Sequence, residues 1–236
     1  MTTPALIAIS SWEWIVDNRA EILHLLLQHL QLTVIAVLVG FAISFPLAVL
    51  AYRHRALYPP ITWITGLLYT IPAIGLFVLL LPFTGLSVTT AEIGLVSYTL
   101  LILIRNTVAG LRAVPEDVKE AARGMGYTNR QMLWRVELPL SVPYLAAGFR
   151  TAAVQVVATA SLAALVAGGG LGQIISEGFG LTLAVGGGQV VAGGFLVALL
   201  ALLVEGTFAV VERLVTPRAL RPGRSMRKAG ATAANV

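Results

Sequence analysis

The chain is dominated by long apolar stretches that are separated by short polar connections. Five of them reach the roughly 20 residues that a helix needs to cross a bilayer. They cover residues 32–52, 61–81, 92–111, 142–166 and 190–211. Because lipid offers no hydrogen-bond partner to a free backbone group, each stretch is predicted to be helical. The pattern therefore predicts an all-α integral membrane protein with about five transmembrane helices.

The composition excludes several classes of protein. Hydrophobic residues make up 57% of the 236 positions and charged residues only 11%, against roughly 25% charged residues in soluble domains. So few charges could not solvate the surface of a soluble enzyme, and so much apolar surface excludes a disordered chain. The absence of cysteine excludes disulfides, thiolate metal sites and cysteine nucleophiles.

The basic residues mark one side of the membrane. Of the 16 Lys and Arg residues, all except Arg19 lie between spans one and two, at or between the inner ends of spans three and four, or after span five. The positive-inside rule makes that side cytoplasmic, with the N-terminus outside and the C-terminus inside. Residues 1–10 lack a basic start and are too short for a signal-peptide core, so we expect the first span to direct insertion.

Three regions are predicted along the chain. Residues 1–30 form an extracytoplasmic or interfacial helix that runs into span one, and residues 31–213 form the transmembrane domain. Residues 214–236 are a basic cytoplasmic tail. We expect this tail to lie beside anionic lipid rather than to bind nucleic acid.

One hydrophilic connection, residues 114–139, is long enough to carry a function in the cytoplasm. Pro115 suits the first turn of a helix, and Thr128 with Gln131 forms a capping-box pattern that starts a second helix. That second helix is predicted to stop before Pro139. In the first helix, apolar residues recur at helical spacing and predict one stripe: Val114, Val118, Ala121, Ala122 and Met125.

This first helix is either an ordinary surface helix or a docking element. Its two central alanines leave a shallow surface that another protein can approach closely. Gly124 and Gly126 follow and end the helix, and glycine permits a sharp turn there. We interpret it as a short helix that lies parallel to the membrane and is presented to a cytoplasmic partner.

The connection resembles the EAA loop of the permease subunits of binding-protein-dependent ABC importers, whose pattern is EAA-x3-G-x9-I-x-LP. The matching residues are Glu120, Ala121, Ala122, Gly126, Val136, Leu138 and Pro139. The one departure is Val136 in place of isoleucine. The match also lies where the family has it, in the cytoplasm and before the last two spans.

The resemblance implies a type I ABC importer transmembrane domain with a cytoplasmic coupling helix. That helix would dock in a cleft of the ATPase subunit, with Glu120, Val118 and Met125 among its contacts and Gly126 at the turn. The chain has no GxxxxGK[ST] sequence, so it would need no cofactor of its own, and ATP and magnesium would be bound by the partner ATPase.

The same resemblance implies three further partners and a location. These are a second permease subunit, identical or homologous, an extracytoplasmic substrate-binding protein, and the lipid of a bacterial cytoplasmic membrane.

Other segments resemble the osmoprotectant permeases, which move glycine betaine, choline, carnitine or proline betaine. They are residues 70–77 (TIPAIGLF), 105–107 (RNT) and 168–172 (GGGLG). Importers for amino acids such as methionine share the EAA and glycine-rich parts and remain an alternative. An ion-driven secondary transporter and a membrane scaffold without transport activity are the alternatives from other classes.

Polar and helix-breaking residues inside the spans are candidates for the translocation pathway, because charge at the centre of a span costs roughly 2.5–3.5 kcal/mol. The candidates are Thr70, Pro72, Arg105, Asn106, Gln155, Thr159 and Glu205. Each has a structural alternative. Arg105 could extend to the inner interface, Glu205 could pair with a basic residue, and Pro72 could be a packing kink.

Gln155 and Thr159 could instead hydrogen-bond between helices. The glycine-rich segments 168–172 and 186–188 are predicted to flank an outer loop, with close helix packing as the alternative.

Overall fold

The computed structural model describes residues 12–181 and 183–215, and within them all regular structure is helical. In chain order the helices are α1 (Arg19–Arg53), α2 (Tyr58–Thr70), α3 (Ala73–Thr84), α4 (Val88–Arg112), α5 (Glu116–Gly124), α6 (Asn129–Met132), α7 (Leu138–Ala160), α8 (Gly172–Phe179) and α9 (Leu183–Val215). A helical turn at residues 12–17 precedes α1, and a π turn, Leu133–Glu137, joins α6 to α7. Short 3-10 turns lie at Arg55–Leu57 and Ala163–Val166. The predicted all-α fold class is confirmed.

Among the described residues, four helical runs are long and apolar enough to cross a membrane: α1, α4, the combined run Asn129–Ala160, and Gly186–Val215 of α9. The segment Arg55–Thr70 and α3 make a fifth if that bent pair counts as one span. The number agrees with the predicted one of about five. The regional boundary predicted at residue 31 falls inside α1, and the predicted tail lies outside the described residues from residue 216 onward.

The second predicted span, over residues 61–81, is not one kinked helix. After α2 ends, Ile71 has a ψ of 128° and Pro72 a ψ of 138°, both extended, before α3 begins. The ring of a proline disfavours the helical region for the preceding residue, which favours the end of α2 at Ile71. The Tyr98 hydroxyl on α4 donates a hydrogen bond to the Ile71 carbonyl. The two helices consequently meet at 96°.

The segment ahead of α7 also departs from its prediction. The capping box is confirmed, since the Thr128 N–H donates to Gln131 Oε1 at 2.8 Å and the Gln131 N–H donates to Thr128 Oγ1 at 3.3 Å. The predicted stop before Pro139 is wrong, because the helix continues through the π turn. There the Leu138 N–H bonds to a carbonyl five residues earlier. This wider register accommodates a proline that lacks an N–H and crowds the carbonyl four residues back.

The centre of the molecule is the packing of α1, α4 and α7. The largest buried cluster includes Phe77 of α3 and Leu95 of α4. Small residues set the helix spacing: a side chain at Gly94 would collide with the Phe77 ring, and one at Gly110 would lie 2.8 Å from Tyr144 Cβ. By contrast α9 packs mainly on α7 and α8. Only 6% of the residues in its most apolar stretch are buried.

Candidate functional site

The short helix α5 buries one narrow side and exposes the rest. Lys119 and Ala122, three residues apart and therefore on one side of the helix, are buried. Val118 (37% exposed) and Met125 (68%) face solvent together with Ala121. The apolar residues predicted to form a single stripe are therefore divided between two sides of the helix. Ala122 is buried, whereas Val118, Ala121 and Met125 are exposed. We call Val118, Ala121 and Met125 the outer apolar face.

Acidic residues and a glycine turn border this outer apolar face. Asp117 and Glu120 are both exposed beside it. The helix ends at Gly124, as predicted, and Gly126 has a φ of +82° with open space around its Cα. An L-residue is strained in that left-handed region, so the turn favours glycine for its backbone conformation alone.

Ion pairs hold the start of α5. Arg123 Nη1 lies 3.0 Å from Glu116 Oε1, and Lys119 Nζ lies 3.4 Å from Glu116 Oε2. The hydrogen bond from Arg123 and the nearby charge of Lys119 lower the pKa of Glu116 from its usual 4.5. The carboxylate is also favoured at the positive end of the helix dipole.

A polar contact on the buried side of α5 was not identified from the sequence. The Tyr52 hydroxyl, in the last turn of α1, donates a hydrogen bond of 2.6 Å to Glu137 Oε1 in the π turn. Lys119 Nζ lies 5.7 Å from the centre of the Tyr52 ring. In the sequence Glu137 stands between Val136 and Leu138 of the EAA pattern, and nothing there links it to Tyr52.

The last residues of the EAA pattern lie where α7 begins. Val136 is half-buried within the π turn, Leu138 is half-buried in the first turn of α7, and Pro139 is exposed. The pattern thus connects the short helix α5 to the start of a helix long and apolar enough to cross a membrane.

Two of the pathway candidates share a cavity between α2 and α4. It has a volume of about 640 Å³, and its lining includes Thr70, Arg105, Trp63 and Tyr69. Arg105 and Trp63 are exposed. Pro72 follows the lining residue Thr70 by two positions and lies at the break between α2 and α3. The lining is mildly polar and aromatic.

The other candidates on α4 and α7 make local contacts. Asn106 Nδ2 donates to the Ile102 carbonyl at 2.9 Å within α4. Gln155 Nε2 donates to Thr159 Oγ1 at 3.2 Å, and that hydroxyl donates to the Gln155 carbonyl at 2.9 Å. These bonds lie within one helix, so the proposed hydrogen bonding between helices is not what the two side chains do.

Glu205 pairs with a basic residue, which was the structural alternative for it. Arg150 Nε on α7 donates to Glu205 Oε1 on α9 at 2.7 Å, and Arg150 Nη1 donates to Glu212 Oε2 at 3.2 Å. All three side chains are about one-third exposed. The cluster fastens α9 to α7 and does not adjoin the cavity that Thr70 lines.

The two glycine-rich segments differ in structure. Gly169 and Gly170 have φ near +80° in a tight loop. The Leu171 N–H donates to His29 Nδ1 at 3.2 Å, which fastens this loop to α1. Residues 186–188, by contrast, lie inside α9, where Gly186 packs directly on the backbone of Gly178. The loop prediction is confirmed for the first segment and wrong for the second, where close packing holds.

Within residues 12–181 and 183–215, no group of three acidic or histidine side chains is placed to hold a metal ion.

Residues 36–217 match the family described as the binding-protein-dependent transport system inner membrane component. The chain is 35% identical to the carnitine transport permease protein OpuCB of Listeria monocytogenes over 88% of this chain and 94% of that protein. It is 33% identical to the osmoprotectant import permease protein OsmW of Salmonella typhimurium over 88% and 98%. It is 30% identical to the choline transport system permease protein OpuBB of Bacillus subtilis over 89% and 95%.

A solved structure is also similar. A chain from the inward-facing MetNI methionine ABC transporter superposes with a TM-score of 0.74 at 25% identity, over 83% of this chain and 96% of that chain. The described helices and the matched relatives together confirm a multi-pass membrane permease. The chain therefore belongs to the family of inner-membrane components of binding-protein-dependent transport systems.

Proposed function

We propose that this chain is the permease subunit of an ATP-driven importer for osmoprotectants such as glycine betaine, choline, carnitine or proline. The observation that carries the proposal is its 30–35% identity, over nearly the full length, to permeases named for carnitine, choline and osmoprotectant transport. The chain supplies the pathway, and partner subunits supply ATP hydrolysis and substrate capture.

The coupling element is α5. Its outer apolar face and the exposed Glu120 are free to enter a cleft of the ATPase subunit, and Gly126 turns the chain back toward α6. Leu138 and Pro139, in the first turn of α7, then transmit the movement of α5 to the rest of that helix. ATP and magnesium are held by the ATPase, which draws α5 with it as it closes.

The assembly contains two permease subunits, identical or homologous, with two ATPases below and a substrate-binding protein outside. The positive-inside charge distribution supports an outer N-terminus and a cytoplasmic C-terminus. Residues 31–213 are the transmembrane domain, preceded by the outer segment 1–30 and followed by the basic tail 214–236.

The cavity between α2 and α4 is the first candidate for part of the translocation pathway. A quaternary ammonium cation donates no hydrogen bonds and is attracted to aromatic faces, and Trp63 and Tyr69 supply these beside Thr70 and Arg105. The other candidates lie outside this cavity: Pro72 at the break between α2 and α3, Asn106 on α4, Gln155 and Thr159 on α7, and Glu205 on α9.

The test is uptake by the complete complex in vesicles. With the ATPase and binding protein present, radiolabelled glycine betaine should accumulate only when ATP is available, and unlabelled choline or carnitine should compete. Competition by methionine alone would favour an amino-acid importer, which the likeness to MetNI raises. Uptake that follows an ion gradient without ATP would overturn the proposal.

A variant tests the coupling helix separately. Glu120→Ala should reduce uptake while leaving the amount of permease in the membrane unchanged. Asp117→Ala, on the same exposed helix, is the matched control. Normal uptake by Glu120→Ala would exclude the docking contact assigned to this carboxylate.

A further inference from the structure

Three elements that the sequence keeps far apart meet at Tyr52. Its hydroxyl donates to Glu137 Oε1 at 2.6 Å, and its ring lies 5.7 Å from Lys119 Nζ. Tyr52 belongs to α1, Glu137 to the π turn before α7, and Lys119 to α5. The contact therefore joins the cytoplasmic helix to two spans. We call these three residues the Tyr52 junction.

The partners in this junction are taken out of water. Glu137 is 7% exposed and Lys119 is 6% exposed, although both residue types are ordinarily found at the surface. A carboxylate buried in this way is costly unless it accepts hydrogen bonds. The short bond from the Tyr52 hydroxyl to a carboxylate is of the charge-assisted kind, which is stronger than a neutral hydrogen bond.

Packing around the junction is incomplete. Tyr52 lines two separate cavities, one of about 590 Å³ that also borders Lys119 and one of about 470 Å³ that also borders Glu137. Tyr52 therefore borders open space on both sides. Tyr52 thus contacts both Lys119 of α5 and Glu137 of the π turn.

The Tyr52 junction contacts the π turn that leads into α7. A π turn carries one more residue per hydrogen-bonded ring than an α-helix and occurs often at functional sites. Glu137 is its last residue, so the hydrogen bond from Tyr52 reaches the π turn at the point where α7 begins.

We propose that Tyr52 is a positioning residue for energy coupling, which keeps α5 and the start of α7 in a fixed relation to α1. The inference rests on the proposed ATP-driven import. When the ATPase moves α5, the junction makes α1 and α7 move with it. Without the junction, ATP is hydrolysed but the spans follow incompletely.

The experiment compares Tyr52→Phe with Tyr58→Phe in the complete complex in vesicles. Both variants remove one hydroxyl from a tyrosine at the inner end of a span. The contacts of Tyr58 are made by its ring, which stacks on Arg112 at 4.6 Å from the guanidinium carbon and packs against a buried apolar cluster, and phenylalanine keeps both. Uptake per ATP hydrolysed should fall roughly ten-fold in Tyr52→Phe, the factor expected for a lost bond to a charged group. It should be unchanged in Tyr58→Phe, and the KM for ATP should be unchanged in both.

A second set of variants separates positioning from general damage. Glu137→Gln keeps an oxygen that accepts from Tyr52 and should retain most of the coupling, whereas Glu137→Leu should lose it. The double variant Tyr52→Phe/Glu137→Leu should be no worse than Glu137→Leu alone, because both changes remove the same bond.

Two results would overturn the inference: equal uptake per ATP in Tyr52→Phe and Tyr58→Phe, or losses in the double variant that multiply. These are distinct from failure of the proposed function, in which the unmodified complex would show no ATP-driven uptake at all.

Discussion

At Gly126 the backbone itself, rather than any contact, dictates the residue. Its φ is +82°, and a side chain there would meet nothing within 4 Å. Gly126→Val should therefore cost about 1–2 kcal/mol through backbone strain alone and reposition α5 against its partner. We expect ATP-driven uptake to fall while the amount of permease in the membrane is kept, measured by transport and immunoblot.

The matched control for this glycine is two residues away. Gly124→Ala also places its new methyl group in open space, but at a helical residue, so uptake should be unaffected. Equal loss in both variants would mean that the turn conformation is not what matters.

A second prediction concerns the charges between α7 and α9. Arg150 is shared by Glu205 and Glu212, so Arg150→Leu leaves two carboxylates without their counter-ion. Because all three side chains are about one-third exposed, solvent screens the pairs and the loss of stability is smaller than for a buried pair. The thermal unfolding temperature of the purified permease should fall.

Arg150→Lys is the conservative comparison. It keeps the charge but not the planar fork that reaches both carboxylates, so its unfolding temperature should lie between those of Arg150→Leu and the unmodified protein. An unmodified unfolding temperature for Arg150→Leu would show that α9 is held by packing instead.

Among the elements, the break between α2 and α3 shows what a sequence pattern leaves open. Pro72 indicated the position at which the helix is interrupted, but it did not indicate whether the helix bends there or ends there. The outcome depends on Tyr98, 27 residues further on, whose hydroxyl satisfies the freed Ile71 carbonyl. The same holds for Tyr52 and Glu137, 85 residues apart. Local signals such as the capping box at Thr128 were predictable because donor and acceptor are neighbours in the chain.

The role of Tyr98 at this break gives a testable consequence. Tyr98→Phe removes the donor and leaves a carbonyl at the interrupted helix without a partner, which costs about 1–3 kcal/mol. Tyr69→Phe is the control, because its ring packs edge-on to Tyr98 at 5.8 Å and the ring is kept. We expect a lower thermal unfolding temperature for Tyr98→Phe alone. Identical temperatures for the two variants would show that the break does not need the hydroxyl.

For the whole molecule, the apolar pattern predicted the class and the number of spans, because a membrane constrains each span separately. It could not predict how the spans pack, since that depends on small residues such as Gly94 receiving Phe77 from another helix. The EAA pattern located α5, but which of its sides is buried depends on Lys119, a residue that a surface helix ordinarily exposes. The sequence thus predicts elements better than the contacts between them.

The orientation in the membrane is the property of the whole molecule that charge alone predicts, and the lack of cysteine makes it directly measurable. A single cysteine can be placed at Leu86, between α3 and α4, or at Met125, after α5, where the side chains are 67% and 68% exposed. In cells that express the permease without its ATPase, which would otherwise cover Met125, matched exposure means that labelling differences report the side of the membrane. With the basic connections inside, a membrane-impermeant maleimide should label Leu86→Cys in intact cells and Met125→Cys only after permeabilisation. The reverse pattern would place α5 outside, where no ATPase could reach it, and the coupling role of this helix would have to be abandoned.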